Sequence, residues 1–386
     1  MNTRGQEGFA LLLVLLVVMA FGAGVFLTMQ QRGSTDPDEA ARTGDDLRAG
    51  LAGLVAYAAW GGVSTGRPAT VPCPDISDPG TEGYGRMNAG VCGGSASVHL
   101  RRLPWKTLDL EPAAEPLWLA VDDRFVNHGK NEPLNPDRDD VDGNLRLNGQ
   151  PGFAAIVLAP GEPVENQPGR PSADIADYLE AHNSEIVNDF PTARFEDCGG
   201  IGGQTEFNGE IVSCNDRALG ITAERLLALG ARRALAEVEA ILQGEYSDVS
   251  ELPYAAVPGT EPLLPCRENE LTGLLPLTAG DPDEGGCGGD EFLDICKIKI
   301  MPQWIRPYEG AEEFEEEKFP CLHAGDEGEA ETGNDWLRFI TYDFSDDCET
   351  TDGERAVCLG FVETFDEIEG FEDLDRKFTL TGGGSE

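Results

Sequence analysis

The run Phe9–Met29 constrains this chain more than any other feature, because it carries no charged residue. As a helix it is roughly 31 Å long at a rise of about 1.5 Å per residue, close to one hydrocarbon core. A short polar leader, Met1–Gly8, holds Arg4 and ends at Gly8-Phe9. A secretory signal has a shorter apolar region followed by a small-residue cleavage site, and Gln30-Gln31-Arg32 is not such a site. The physical expectation is one spanning helix with a cytoplasmic leader and the bulk of the chain outside. Arg4 inside is matched by Arg32 outside, so the orientation rests on the shortness of the leader.

The exterior part is strongly acidic. The chain has 386 residues, 71 acidic against 28 basic, and a formal charge of −43. Such a surface repels nucleic acid, and no nucleic-acid partner is expected. The acidity fits either salt adaptation or acidic loops that bind divalent cations. Ten cysteines stand at Cys73, Cys92, Cys198, Cys214, Cys266, Cys287, Cys296, Cys321, Cys348 and Cys358, none in the leader or the apolar run. An even number confined to an exported region reads as disulfides made in an oxidising compartment. Local pairing predicts Cys73–Cys92, Cys198–Cys214, Cys287–Cys296 and Cys348–Cys358, leaving Cys266–Cys321.

A short polar leader, Gly8-Phe9, and an uncharged Leu/Val-rich helix together resemble the class III signal of type IV pilins and type II secretion pseudopilins. The resemblance implies that a prepilin peptidase cuts between Gly8 and Phe9 and methylates the new N-terminus. It also implies an assembly helix, Leu11–Phe26, whose small residues Ala20, Gly22, Ala23 and Gly24 let neighbouring helices approach. The family's Glu at the fifth mature position is replaced here by Leu13. That carboxylate is a registration device, since a charge in apolar surroundings is costly unless paired. A subunit without it need not dock onto one ahead of it, as in the K-type pseudopilin and X-type minor pilin near filament tips. The partners implied are other minor pilins or pseudopilins, the prepilin peptidase and inner-membrane lipid. The implied location is the bacterial inner membrane, with the bulk periplasmic, then the tip of a surface filament or pseudopilus.

Beyond the span, Asp36, Pro37 and Glu39 form a helix start. Leu47, Leu51, Leu54, Val55 and Ala58 then make an apolar stripe. These features predict a two-part helix, Phe9–Trp60, of the pilin kind. The segments Pro72-Cys73-Pro74-Asp75, Leu103-Pro104-Trp105, Trp118–Val121, Phe153–Gly161, Ala176–Glu180 and Asn215–Thr222 resemble a group of large pseudopilin-like proteins. Strands are expected around Glu115–Val121, Ile156–Ala159, Ile211–Cys214 and Leu219–Thr222, with a short helix over Ala173–Glu180. Thr222 is placed as the cap of a helix running from Glu224 to about Gly244, with Leu226, Leu229, Leu235, Val238 and Leu242 on its apolar face.

The expected fold is therefore α+β: a pilin-like N-terminal helix, transmembrane then amphipathic, packed on an antiparallel sheet, with a large disulfide-bonded second lobe. A weak internal repeat links Leu51–Leu119 with Leu235–Ile340, with chance recurrence of common Leu-Pro pairs as the alternative. The expected divisions are a leader (1–8), the transmembrane and assembly helix (9–31), a pilin-like exterior domain (32–222), a second α+β lobe with an acidic Cys/Gly-rich insertion (223–378), and a flexible tail (379–386).

Signs of catalysis are missing. The four histidines, His99, His128, His182 and His323, are far apart, and no hydrolase elbow, phosphate loop or kinase signature occurs. No enzymatic activity and no organic cofactor are expected. Asp137, Asp139, Asp140 and Asp142 suggest a calcium loop, yet an EF-type frame would put Arg138 first and Gly149 in the twelfth place. The ordinary acidic, Gly-containing solvated turn is the preferred reading, with a non-EF calcium site as the alternative. The functional expectation is a minor, tip-located pilin-like subunit of a type IV pilus or type II secretion pseudopilus. The rival is a permanently anchored periplasmic binding protein that never joins a filament.

Overall fold

The structure, a computed structural model, describes residues 37–60, 68–87, 92, 97–126, 143–163, 170, 174–180, 183, 193–199, 204–207, 209–245, 271–275, 340–345, 348–349, 356–361 and 374–380. Two α-helices lie among them, α1 (Pro37–Trp60) and α2 (Ala223–Glu245). The strands are β1 (Val98–Arg102), β2 (Trp118–Asp122), β3 (Leu145–Leu147), β4 (Gln150–Ala159), β5 (Ala193–Phe195), β6 (Gln204–Phe207), β7 (Glu210–Ser213), β8 (Arg217–Thr222), β9 (Thr272–Leu274), β10 (Ile340–Asp343), β11 (Val357–Phe361) and β12 (Arg376–Phe378).

The organising strand is β4. It pairs antiparallel with β2 (Leu119 opposite Val157), with β8 (Val157 opposite Leu219) and, near its start, with β3. β1 extends the sheet beyond β2, and β5 adds a parallel pair to β3. Side chains alternate along a strand, and here both faces are buried. Ala155, Val157 and Ala159 join Leu119 and Val121 in the larger core, under the helices. Ile156 and Leu158 join Trp118 and Ala120 in a second cluster on the opposite face, closed by Tyr178 and Leu179. That two-sided burial explains why β4 reads as a nearly unbroken apolar run rather than an alternating one. The β3–β4 hairpin turns on Asn148 (φ 52°) and Gly149 (φ 80°), the Asn-Gly pair favoured where both central residues need positive φ.

The stripe on α1 behaves as its spacing predicts. Leu47, Leu54 and Ala58 are buried, and Leu51 and Val55 pack partly against the same core. α2 begins where expected, with the Arg225 N–H donating to Thr222 Oγ1 at 3.3 Å. Leu226, Leu235, Val238 and Leu242 are fully buried and Leu229 partly so, but Leu227, Ala231 and Ala234 are buried too. Its apolar face is therefore wider than one partner can cover. α2 packs on α1, on β4 and β8, and on β11 and β12 of a second sheet, whose order is β12-β11-β10-β9. Leu275, Ile340, Tyr342, Val357, Leu359 and Phe378 of that region belong to the same core cluster as Leu47 and Leu54.

This arrangement corrects the expected fold. In place of a pilin-like helix laid on an antiparallel sheet beside a separate lobe, the described residues form a mixed α/β architecture. Two helices share one core, and the main sheet contains a parallel pair. No described helix is long and apolar enough to cross a membrane, and Phe9–Met29 lies outside the described residues. Among the described residues the two sheets differ in order and strand number, so they do not form two lobes built alike. The physical reason is the breadth of α2's apolar face, which needs α1 and both sheets to exclude water. Smaller differences follow from local geometry. Within the helix expected over Ala173–Glu180, the described residues 174–180 form only a 3-10 turn at Ile175–Asp177, capped by Asp174, whose carboxylate accepts from the Ala176 N–H. Leu380, assigned to the tail, packs partly against the core.

Gly230 marks the tightest seam between α2 and the segment before β1. A Cβ there would lie 2.6 Å from the Ala69 backbone nitrogen and 2.7 Å from its Cβ. Gly230→Val is expected to lower unfolding free energy by about 1–3 kcal/mol through overpacking. Urea unfolding of the variant should show a lower midpoint.

Candidate functional site

Two constellations stand out among the described residues. The first is a groove of about 640 Å³ between α1 and the loops that flank β1 and β2. Its construction begins with Asp75, which is 1% exposed. One carboxylate oxygen accepts from the Ser77 N–H at 2.8 Å and the other from the Gly85 N–H at 2.7 Å, curling the 75–85 loop around the side chain. The Asp75 N–H donates to the Arg102 carbonyl at 2.8 Å, the Lys106 N–H to the Gly85 carbonyl at 2.7 Å, and the Leu103 N–H to the Leu117 carbonyl at 2.8 Å. Thus the Pro72–Asp75 and Leu103–Trp105 segments, distant in sequence, form adjoining walls.

Arg102 lies inside that frame. It is 7% exposed, its Nη2 donates to the Ser77 carbonyl, and its guanidinium carbon is 5.4 Å from the centre of the Tyr84 ring. Its Nε is buried with no hydrogen-bond partner. Trp105, Leu110 and Pro116 supply apolar lining, and Lys106 lies 4.9 Å from the centre of the Trp105 ring while Nζ donates to the Tyr84 carbonyl. Arg170 also lines the groove, but its guanidinium is occupied by the backbone carbonyls of Asp177, Gly161 and Tyr178 at 2.9, 2.7 and 3.1 Å. The rim carries Asp46, Asp109, Glu111 and Glu115. Asp46 has its carboxyl raised above the ordinary value, first by partial burial and then by the neighbouring Asp45.

The second constellation is a buried carboxyl pair, Glu180 and Asp216, 7% and 0% exposed. Asp216 Oδ2 accepts from the Glu180 N–H at 2.9 Å and from Asn183 Nδ2 at 3.1 Å. Glu180 Oε2 accepts from the Asn215 N–H at 3.0 Å. Asn183 continues the network by accepting from the Glu196 N–H at 2.8 Å and donating to the Glu196 carbonyl at 2.9 Å. Burial, followed by the charge of Glu180, raises the Asp216 carboxyl well above its ordinary value. Cys214 sulfur lies with these two carboxylates in a group compact enough for a metal ion. It is bonded to Cys198, however, so it offers no thiolate. The pair is a structural knot that ties the Ile175–Glu180 turn to the start of β8.

The structure pairs Cys73–Cys92, Cys198–Cys214 and Cys348–Cys358, and no described cysteine is free. These are three of the five predicted bridges. Cys266, Cys287, Cys296 and Cys321 lie outside the described residues, as do Gly8, Phe9, Leu13, Ala20, Gly22, Ala23, Gly24 and the acidic stretch Asp137, Asp139, Asp140 and Asp142. His99, unassigned by sequence, is buried with Nε2 2.6 Å from Asp123 Oδ1. Sequence reasoning named the segments that hold Glu180 and Asp216 but gave those side chains no role, and it passed over Arg102, which precedes Leu103-Pro104-Trp105. The available signal was a charged residue set directly against apolar neighbours, as in Tyr178-Leu179-Glu180.

No protein-family model, curated protein or solved structure matches this chain.

Proposed function

We propose that this chain is a minor, tip-located pilin-like subunit of a bacterial type IV pilus or type II secretion pseudopilus, processed between Gly8 and Phe9. The observation that carries this reading is the sequence Gly8-Phe9 followed by the uncharged run to Met29, with Leu13 where the family has Glu. Burying apolar helix against apolar helix would drive assembly, with Ala20, Gly22, Ala23 and Gly24 at close approaches. The three disulfides support export to an oxidising compartment. In this reading the mixed α/β exterior part is the contacting end rather than a shaft module.

Intact mass and N-terminal peptide sequencing of the protein from its native membrane test this directly. The expected product begins at N-methylated Phe9. A chain that still begins at Met1 rejects processing and leaves a permanently anchored periplasmic binding protein, whose working surface would be the groove. For a processed chain, incorporation along the whole filament shaft, or normal filament initiation after deletion, would reject the tip position.

A further inference from the structure

We propose that Glu180 and Asp216 form a proton latch: while they share one proton, the Ile175–Glu180 turn stays closed over the smaller core and one end of the groove. Loss of that proton releases the turn while the main core stays folded. This goes beyond filament membership and does not depend on it.

Two carboxylates cannot bond each other, because each only accepts. Asp216 is 0% exposed, and its Oδ2 takes the Glu180 N–H and Asn183 Nδ2. Its Oδ1 is buried with no donor among the described residues. The Glu180 side chain lies against it, within reach of a shared hydrogen bond. A proton on one carboxyl turns that contact from a repulsion into a bond. The neighbouring charged groups do not replace it. Glu196 is held by Arg194 at 2.6 Å and by Thr205, and Asp197 by Arg217 at 3.2 Å. Cys214 is bonded to Cys198 and carries no charge. Arg170 donates to three backbone carbonyls and lies 3.8 Å from Glu115.

The placement of the turn makes the release local. Tyr178 and Leu179 close the smaller core cluster, which is separate from the one beneath α1 and α2. Tyr178 rests on Trp118, with ring centres 5.6 Å apart. The Glu180 N–H donates to Asp216 and the Asn215 N–H to Glu180 Oε2, so the pair ties the turn to the start of β8. With both carboxyls charged, two like charges in a buried site drive that tie apart. The turn can then leave without uncovering the main core, as a locally opening unit does. Its departure reaches the groove, which Tyr178 and Arg170 line. The carbonyls of Asp177 and Tyr178 accept from Arg170, and a released turn withdraws both. The Arg170 guanidinium is then uncovered at that end of the groove.

Hydrogen exchange of the full-length protein in detergent tests the latch, read by mass spectrometry over a pH series and corrected for the intrinsic pH dependence of exchange. Peptides covering residues 174–180 and 214–218 should show an opening constant that rises about tenfold per pH unit while one proton is released. They should lose protection toward basic pH, with peptides from Leu226–Leu242 still protected. Asp216→Asn and Glu180→Gln should each flatten the rise, since either amide supplies a donor that does not titrate. Glu180→Gln decides the matter if Asp216→Asn fails to fold. Equal opening constants in the turn and in α2 at every pH would overturn the latch, leaving the pair a determinant of global stability alone. A native turn with no rise, or variants with the native rise, would overturn it as well. The link to the groove is read from phenylglyoxal modification of Arg170 at one mildly basic pH, expected to be several-fold faster in the native chain than in Asp216→Asn. Equal rates would overturn that link.

Discussion

Asp216→Ala is expected to destabilise the folded chain by about 3 kcal/mol, near the upper end of what an orphaned buried polar contact costs. The loss has two parts. Glu180 N–H and Asn183 Nδ2 lose their shared acceptor, and the Glu180 carboxyl keeps a buried position beside an empty space. Asp216→Asn should behave differently, because an amide oxygen can accept the same two bonds while the amide nitrogen donates toward Glu180 as a protonated carboxyl does. The pH dependence follows from the raised Asp216 value. The folded state keeps a proton that the unfolded chain releases above the ordinary value of 3.8, so stability is highest below that point. It then falls as pH rises toward the folded-state value, at on the order of 1 kcal/mol per pH unit for one proton. Thermal unfolding between acidic and mildly basic pH should show this slope in the native chain and a flatter one in Asp216→Asn. An identical slope in both would place the titrating group elsewhere.

The second large effect is expected at Cys73–Cys92. The bridge spans 19 residues, and closing a loop of that size restricts the unfolded chain by about 3 kcal/mol in the chain-entropy account. Both residues also belong to the main core, at 0% and 2% exposed, so Cys73→Ala with Cys92→Ala removes packing as well as the cross-link. The combined loss should reach about 3–5 kcal/mol. Equilibrium urea unfolding of the double variant should give a much lower midpoint, and a slope increased by the more expanded unfolded chain. The same change at Cys348–Cys358, with a separation of 10 residues and one edge at the second sheet, should cost less. Cys73–Cys92 also anchors the wall that begins at Pro72.

Much of the local structure was legible in the residues. The stripe Leu47–Ala58, the Thr222 cap and the Leu226–Leu242 face state a helical period that survives folding, because burial of one face and capping of one end are settled within a few turns of chain. The three observed disulfides followed from proximity in sequence, since the chain between each pair is short enough to close on itself. The Asn148-Gly149 turn was equally readable and was passed over, although it fixes the register of β3 on β4.

What the residues alone could not supply was partnership. A single apolar stripe on α2 and a single apolar run at β4 do not say which surfaces will cover them. The tertiary structure put α1, α2 and both sheets around one core, where a helix-on-sheet module with a separate lobe was expected. The same holds for the site. Asp75, Arg102 and Glu111 are unremarkable acids and bases in a chain this charged, and only the folding of the 75–85 loop onto the end of β1 buries Arg102 with an unused donor. Glu180 and Asp216 become a coupled pair only when the Ile175–Glu180 turn meets the start of β8. By itself the sequence determined the helices over Leu47–Ala58 and Leu226–Leu242, the three observed short disulfide loops, and the charge and apolar run that frame the proposed role, because those depend on neighbours along the chain. Which charges are buried, and which faces share a core, was decided by long-range closure, where desolvation and packing act between residues that the order of the chain keeps apart.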